Sequence, residues 1–275
     1  MPDFKFQDHT IHYECTGRGE PVVLLHCGGS SARQWEKISA ALGNRYCLIA
    51  PDFYGFGESS RWRGETLLSH DDQAALVAEV MNREGVVDAS IVGHSYGGAC
   101  AVRLKILYPH LVRSLVLIEP VLTNLIREAG EPALHAEGFE IAHRFLELAA
   151  DGRDEDAWRE FIDHHNAPGT WAALSERAKA RFLSQTPSTA DGFHSNLGNT
   201  TTLADCRRFD IPVTVLCSET TAPYNRRVTE ILRNEIPRAE WREIAGAGHM
   251  SPLTHPEAVA RLIEAHLQEQ VIAAG

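Results

Sequence analysis

Short, unbroken apolar runs recur along this chain and alternate with segments of helical periodicity. Five such runs, each four to six residues long, lie at residues 21–26, 46–50, 89–92, 114–118 and 212–217. An apolar run this short is typical of a strand that is buried on both faces. Helical patterns lie between and after the runs, for example at residues 74–81 and 257–270. This alternation predicts a mostly parallel sheet covered by helices on both faces.

The alternation stops in the second half of the chain. From about residue 120 to residue 205 the patterns are helical and rich in polar residues, and no buried strand run occurs until residue 212. A helical insertion of this size within an α/β chain predicts a cap or lid. We therefore predict a core domain formed by residues 1–119 and 206–275, with a helical cap formed by residues 120–205.

Charge and targeting signals limit the partners of the protein. The chain has 26 basic and 37 acidic residues, a net charge of −11, which repels phosphate backbones and argues against nucleic acid as a partner. No apolar stretch reaches the roughly 18 residues that cross a membrane, and the N-terminus does not resemble a secretory signal. The six cysteines form no metal-binding or redox pair in sequence, as expected for buried free thiols in the cytoplasm. We expect a small-molecule substrate and leave open a homo-oligomer.

The strongest chemical signal is a glycine-flanked serine. Residues 93–97 read Gly-His-Ser-Tyr-Gly, immediately after the apolar run at 89–92 and before a helical pattern. In a G-x-S-x-G motif, a sharp strand-to-helix turn exposes the serine hydroxyl, and the glycines avoid collisions with neighbouring elements. The pattern predicts Ser95 as a nucleophile. It also predicts the Tyr96 amide, at the start of a helix, as an oxyanion donor.

Three further motifs accompany this serine. They are Leu-Leu-His at residues 24–26 followed by Gly28 and Gly29, an Asp-Phe-Tyr-Gly-Phe-Gly-Glu-Ser run at residues 52–59, and Gly-Ala-Gly-His at residues 246–249. Together with the serine motif, they make residues 20–270 resemble the α/β-hydrolase fold superfamily. The resemblance implies an eight-stranded, mostly parallel sheet with the cap inserted after strand six.

The resemblance also implies an oxyanion loop and a general base. In such hydrolases, a His-Gly-x loop follows strand three and the amide of x completes the oxyanion hole. Cys27 replaces the usual glycine here, so Gly28 is the expected second donor and His26 is expected to brace the loop. His249 lies between the last strand and the last helix, where this architecture places its base.

The carboxylate partner of the base is where the sequence departs from the superfamily. Its members usually place an Asp shortly after strand seven, and Thr221 stands at that position. Two replacements are available: Glu119 at the end of strand six, a position used by haloalkane dehalogenases, and Glu219 in the usual loop. We favour Glu119, with Glu219 as the alternative and a Ser–His dyad without an acid as a third possibility.

The expected chemistry is hydrolysis of a carboxylic ester or lactone through an acyl-enzyme on Ser95. We predict no cofactor and no metal. Among aromatic residues, Trp35, Phe139, Phe145 and Trp158 are candidates to border the substrate pocket. Because one fold supports several reactions, two alternatives remain. One is hydrolysis of a C–C bond in a diketone-like substrate by the same residues, and the other is a catalytically weak ligand-binding protein.

Overall fold

An eight-stranded sheet forms the centre of the molecule in the computed structural model, which describes residues 3–165 and 168–274. The spatial order is β1-β2-β4-β3-β5-β6-β7-β8. β2 pairs antiparallel with both of its neighbours, β1 and β4, and all the other pairs are parallel. The strands are β1 (Asp3–Phe6), β2 (His9–Gly17), β3 (Glu20–Leu25), β4 (Tyr46–Pro51), β5 (Ala89–His94), β6 (Val112–Ile118), β7 (Val213–Ser218) and β8 (Glu240–Ile244).

The helices occupy both faces of this sheet and the segment between β6 and β7. Those of the core are α1 (Glu36–Leu42), α2 (His70–Arg83) and α3 (Tyr96–Leu107). Those between β6 and β7 are α4 (Asn124–Glu128), α5 (Pro132–Ala150), α6 (Asp154–His165), α7 (Thr170–Ala173), α8 (Glu176–Ser184), α9 (Thr186–Leu197) and α10 (Leu203–Cys206); we call α4 to α10 the cap. The core resumes with α11 (Pro223–Glu235), α12 (Ser251–Thr254) and α13 (Pro256–Ala274).

Alternate side chains of the central strands enter two separate hydrophobic cores. Leu115 and Leu117 of β6 lie in the core shared with α2, α3 and α11. Val116 and Ile118 of the same strand lie in the core shared with α1 and α13. Successive side chains of a strand point to opposite faces of a sheet, so a continuous apolar run is what a strand between two helix layers requires.

The fold predicted from the sequence is confirmed, including the number of strands, their mostly parallel pairing and the helical insertion after strand six. The ends of the strands and helices differ by a few residues from those predicted from the sequence. The helix predicted at residues 74–81 begins at His70 because Ser69 and Asp72 form reciprocal hydrogen bonds, a capping box, at its N-terminus. No helix of the described residues is both long and apolar enough to cross a membrane.

The cysteines are only partly buried, in contrast to the prediction. Cys27, Cys100, Cys206 and Cys217 are buried free thiols, whereas Cys15 is exposed. Cys15 lies near the end of β2, and its Sγ atom lies 3.9 Å from that of the half-buried Cys47. Burial on both faces applies to central strands and not to this edge.

Candidate active site

The turn between β5 and α3 holds Ser95 in a backbone conformation that is unusual for serine. Its φ of 55° and ψ of −115° lie in a region that L-residues rarely adopt. Such a residue costs on the order of 1–3 kcal/mol and persists only where the surroundings enforce it. Here the Ser95 N–H donates to Ile118 O at 2.9 Å, and Ser95 O accepts from the N–H groups of Gly98 and Val121 at 3.0 and 3.1 Å. These bonds anchor the turn to the end of β6.

The glycines that flank Ser95 are required by close packing. A Cβ atom on Gly97 would lie 2.3 Å from Leu25 O, and one on Gly93 would lie 2.5 Å from Gly97 O. Both distances are far below van der Waals contact with backbone atoms that cannot rotate away. The glycines of the sequence motif therefore allow α3 to begin directly against β3.

His249 connects the serine to a buried carboxylate. Its Nε2 lies 3.0 Å from Ser95 Oγ, and its Nδ1 lies 2.6 Å from Glu119 Oε2. The three residues come from the carboxyl ends of β5, β6 and the loop after β8, which meet at one edge of the parallel sheet. This arrangement lets Nδ1–H donate to the carboxylate while Nε2 accepts from the serine hydroxyl.

Glu119 is fully buried and hydrogen-bonded through both oxygens. Oε1 accepts from the Ser218 N–H at 2.6 Å, and Oε2 accepts from Thr221 Oγ1 at 2.8 Å as well as from His249. Burial favours the neutral acid, but the hydrogen bond and charge of His249, together with the Ser218 and Thr221 donors, outweigh it and lower the pKa of Glu119 below its ordinary value. The carboxylate is thus kept ionised beside the imidazole.

The two acid candidates from the sequence lie in different places. Glu219 Oε2 accepts from the Gly246 N–H at 2.7 Å, on the exposed side of the loop after β7. Thr221, at the position of the usual Asp, instead donates its hydroxyl to Glu119. The structure therefore brings Glu119, and not Glu219, to His249. Thr221, which the sequence marked only as the position without the usual Asp, is a hydrogen-bond donor to Glu119.

His94 anchors the loop that carries His249. Its Nε2–H donates to His249 O at 2.8 Å, which requires the neutral tautomer protonated on Nε2. Complete burial, and then the neighbouring His249, lower the pKa of His94 to about 3, so this tautomer persists at neutral pH. The His94 side chain therefore holds the backbone of His249 in place.

The two predicted oxyanion donors lie side by side. A Cβ atom on Gly28 would be 3.8 Å from Tyr96 Cβ, so the loop after β3 runs along the first residue of α3. N–H groups in the first turn of a helix lack intrahelical acceptors, which leaves the Tyr96 amide available to an oxyanion. The neighbouring Cys27 N–H donates to Gln34 Oε1 at 3.1 Å, so Gly28 and not Cys27 is the available amide in the loop.

The side chains of the oxyanion loop are structural. His26 is buried, its Nδ1–H donates to Cys27 O at 2.7 Å, and its Nε2 accepts from the Phe53 N–H at 3.2 Å. Burial raises the pKa of the Cys27 thiol to about 12, which leaves it unreactive. Gln34, which the sequence did not single out, fixes the loop by accepting from Cys27.

A cavity of about 1100 Å³ lies between the cap and the carboxyl edge of the sheet. Its lining includes Ser95, His249, Gly28 and Tyr96 from the core. Phe139 and Trp158 of the cap, two of the four aromatic candidates from the sequence, also line it. The volume is slightly above the usual range of about 300–1,000 Å³ for small-molecule sites, and Ser95 is among the lining residues.

The other two pocket predictions, Trp35 and Phe145, are wrong in position. Trp35 packs in the core that contains Leu24 and Ile38, between the sheet and α1. Phe145 packs inside the cap, with ring-centroid distances of 5.1 Å to Trp158 and 5.0 Å to Phe193. The cap is large enough to need a hydrophobic core of its own, and aromatic residues on inward helix faces form it.

Sequence and structure comparisons agree with this architecture. A 34% identical segment of 125 residues, covering 45% of this chain and 46% of the relative, matches a pyrrolizixenacetamide deacetylase of Xenorhabdus hominickii. Another 34% identical segment, covering 37% of this chain and 36% of the relative, matches the 2-hydroxy-6-oxo-6-(2'-aminophenyl)hexa-2,4-dienoic acid hydrolase of Metapseudomonas resinovorans. The chain thus spans about a third to a half of the length of these curated relatives.

A solved structure is similar over the full length. The meta-cleavage product hydrolase of Pseudomonas fluorescens IP01 is 18% identical, with a TM-score of 0.74 over 98% of both chains. At this identity the likeness concerns the fold. The model of the alpha/beta hydrolase family matches residues 22–262, which include every strand from β4 to β8 and all three residues of the Ser–His–Glu arrangement. This chain therefore belongs to the alpha/beta hydrolase family.

Proposed function

We propose that the protein hydrolyses a carboxylic ester or lactone by acyl transfer to Ser95. The observation that carries the proposal is the continuous hydrogen-bond chain from Ser95 Oγ through His249 to Glu119, at 3.0 and 2.6 Å, facing a large cavity. A nucleophile, a base within hydrogen-bond reach and a third group that orients the base are the parts that acyl transfer needs.

Acylation uses these parts in order. As Ser95 Oγ attacks the carbonyl carbon, its proton passes to His249 Nε2, and the Gly28 and Tyr96 N–H groups stabilise the oxyanion. When the tetrahedral intermediate collapses, the ester C–O bond breaks and the leaving oxygen takes the proton from Nε2. Glu119 accepts from Nδ1–H throughout and stabilises the transient imidazolium.

Deacylation repeats the sequence with water. His249 Nε2 removes a proton from a water molecule as the water oxygen attacks the acyl carbon. When the second tetrahedral intermediate collapses, the bond between the acyl carbon and Ser95 Oγ breaks, the His249 imidazolium returns the proton to Ser95 Oγ, and the carboxylic acid leaves. Both half-reactions therefore use the same base, His249, and the same oxyanion hole.

Release of 4-nitrophenol from short and medium acyl esters tests the proposal. Wild type is expected to turn over at least one ester, and Ser95→Ala is expected to lose turnover to the background rate while keeping its fold by circular dichroism. Near-wild-type turnover by a pure Ser95→Ala preparation would refute the acyl-transfer mechanism.

Hydrolysis of a C–C bond is the second candidate, favoured by the similarity to the dienoic acid hydrolase of Metapseudomonas resinovorans. A protein that acts on vinylogous diketones and on none of the aryl esters would have this activity. Tight ligand binding without turnover of either class would identify a binding protein. The short Glu119–His249 contact supports an enzyme over a binding protein, because a binding role needs no oriented imidazole.

A further inference from the structure

The charged residues that line the cavity are of both signs on the core side and basic on the described part of the cap side. On the core side, Glu58 lies 3.7 Å from Arg33, and both Asp52 oxygens accept backbone N–H groups, at 2.7 and 2.9 Å. Glu58, Arg33 and Asp52 therefore have partners within the protein. On the cap side, the charged residues lining the described part of the cavity are Arg177 and Arg181.

Both arginines lie on one face of α8. Their spacing of four residues places them one above the other, and Ala178, Phe182 and Gln185 of the same face also line the cavity. Both arginines are exposed, and within residues 3–165 and 168–274 neither guanidinium forms an ion pair. Lys179, on the same helix, pairs with Glu176 at 2.9 Å, so carboxylates are available nearby but do not reach the cavity face.

The polar face continues past the end of α8. Gln185 and Thr189 follow at the same four-residue spacing and line the cavity, and Gln185 Oε1 and Thr189 Oγ1 are buried without a hydrogen-bond partner among the described residues. Thr189 is 7% exposed. Buried polar atoms are nearly always paired, so an unpaired threonine hydroxyl facing a cavity indicates a polar group that arrives with a ligand.

Most of the remaining cap wall is apolar, with Ser175 and Asn196 as further polar lining residues. It includes Phe139, Ile141, Ala142, Trp158 and Phe161. A ligand that fills this space contacts hydrocarbon on one side and two guanidinium groups with an adjoining hydroxyl on the other. Guanidinium groups recognise carboxylates through paired N–H donors, and a protein of net charge −11 attracts an anion only where local positive charge is concentrated.

We propose that Arg177 and Arg181 form a carboxylate-binding subsite, and that the substrate is a hemiester whose hydrocarbon chain or ring carries a free carboxylate away from the scissile bond. The subsite rests on the proposed acyl-transfer function for its substrate class. The preference of the subsite for an anionic ligand depends on Arg177 and Arg181, and it can be measured by binding, without turnover.

The test compares paired substrates. Mono-4-nitrophenyl esters of hexanedioic, octanedioic and decanedioic acid carry the free carboxylate, and their methyl esters are the neutral partners of equal length. Wild type is expected to favour the acid over the methyl ester in kcat/KM at one or more lengths. In the double variant Arg177→Gln/Arg181→Gln, the ratio of kcat/KM for the acid to that for the methyl ester is expected to fall about 10–100-fold. The change is expected mainly in KM, because charge-assisted hydrogen bonds to the carboxylate are lost.

Arg208→Gln is the matched control. It removes the same charge from an exposed arginine that lies 3.8 Å from Asp205 and outside the cavity, so it reports any effect of net charge alone. It is expected to keep the wild-type ratio. An equal ratio in wild type and in the double variant, or a wild-type preference for the methyl ester at every length, would overturn the subsite.

Binding separates this proposal from the proposed function. Calorimetric titration of Ser95→Ala with octanedioate and with dimethyl octanedioate needs no catalysis, and octanedioate is expected to bind more tightly. The preference is expected to vanish when Arg177→Gln and Arg181→Gln are added. If wild type hydrolyses no ester but binds octanedioate selectively, the subsite is supported and the acyl-transfer function is refuted. If esters are hydrolysed but the binding selectivity is absent, the acyl-transfer function is supported and the subsite is refuted.

Discussion

Replacing Glu119 by glutamine removes one charge and almost no volume from the centre of the site. In wild type, the Oε2 atom lies 2.6 Å from His249 Nδ1. The carboxylate and the imidazolium that forms during attack have charge centres about 4 Å apart, which corresponds to about 4 kcal/mol at an effective dielectric constant near 20. Loss of that energy slows the reaction by about 10³-fold.

The glutamine amide adds a second effect. Its NH₂ group can donate to Nδ1, which would place the imidazole proton on Nε2, where it cannot accept from Ser95. Inverting the tautomer in this way raises the expected loss in kcat towards about 10⁴-fold. The Ser218 N–H still finds an acceptor in the amide oxygen, so the fold is expected to persist.

The assay measures kcat on the best 4-nitrophenyl ester for wild type, Glu119→Gln and Glu219→Gln, with thermal unfolding of each. Glu219→Gln is the matched control because the exposed Glu219 accepts from Gly246 and not from His249. We expect it to stay within about threefold of wild type, since it removes no interaction made in the transition state. Glu119→Gln within tenfold of wild type, or a larger loss in Glu219→Gln, would refute the assignment of the acid.

Two further predictions concern stability. Burial lowers the pKa of His70 to about 3 and that of His266 to about 4, as it does for His94, so the unfolded chain takes up protons first on acidification. Stability is full above about pH 6.5 and falls below it by about 1.4 kcal/mol per pH unit for each histidine. Urea midpoints between pH 7 and 5 are expected to decrease, and less steeply in His266→Gln; a flat profile in wild type contradicts this. Gly97→Ala is expected to lose more than about 2 kcal/mol through collision with Leu25 O. Gly192→Ala, whose Cβ would meet nothing nearer than 3.8 Å, is expected to gain up to about 1 kcal/mol in its helix, and equal urea midpoints for the two variants would contradict the packing argument.

The sequence was sufficient for the sheet because strand burial is a local property. A run such as residues 114–118 is apolar at every position, and the structure buries it on both faces. The position of Ser95 could be predicted for the same reason, since the strand, the glycines and the helix start are adjacent in the chain. The acid could not be assigned in this way because Glu119 and Glu219 both follow a strand by one residue.

Side-chain direction decided what the sequence could not. Glu119 has a φ of 42°, an uncommon value for a non-glycine residue, whereas Glu219 remains at the solvent side. No pattern along the chain encodes that difference. The same limit applies to the cap. Phe145 and Trp158 are both aromatic residues in helical patterns of the sequence, but of the two Trp158 lines the cavity. Arg177 and Arg181 are a regular i, i+4 pair in the sequence, and only the position of α8 over the core makes them notable.

The hydrogen bond from Thr221 to Glu119 has a consequence for how such hydrolases can diverge. Thr221 occupies the position at which relatives with the usual arrangement carry their acid, and its hydroxyl already touches the carboxylate that serves His249 here. Residues that follow two different strands, β6 and β7, therefore meet at one carboxylate oxygen, Glu119 Oε2. A carboxylate at position 221 would lie beside Glu119, so a residue after either strand could supply the charge for His249. The acid can in this way exchange its place in the chain while its place in space stays the same.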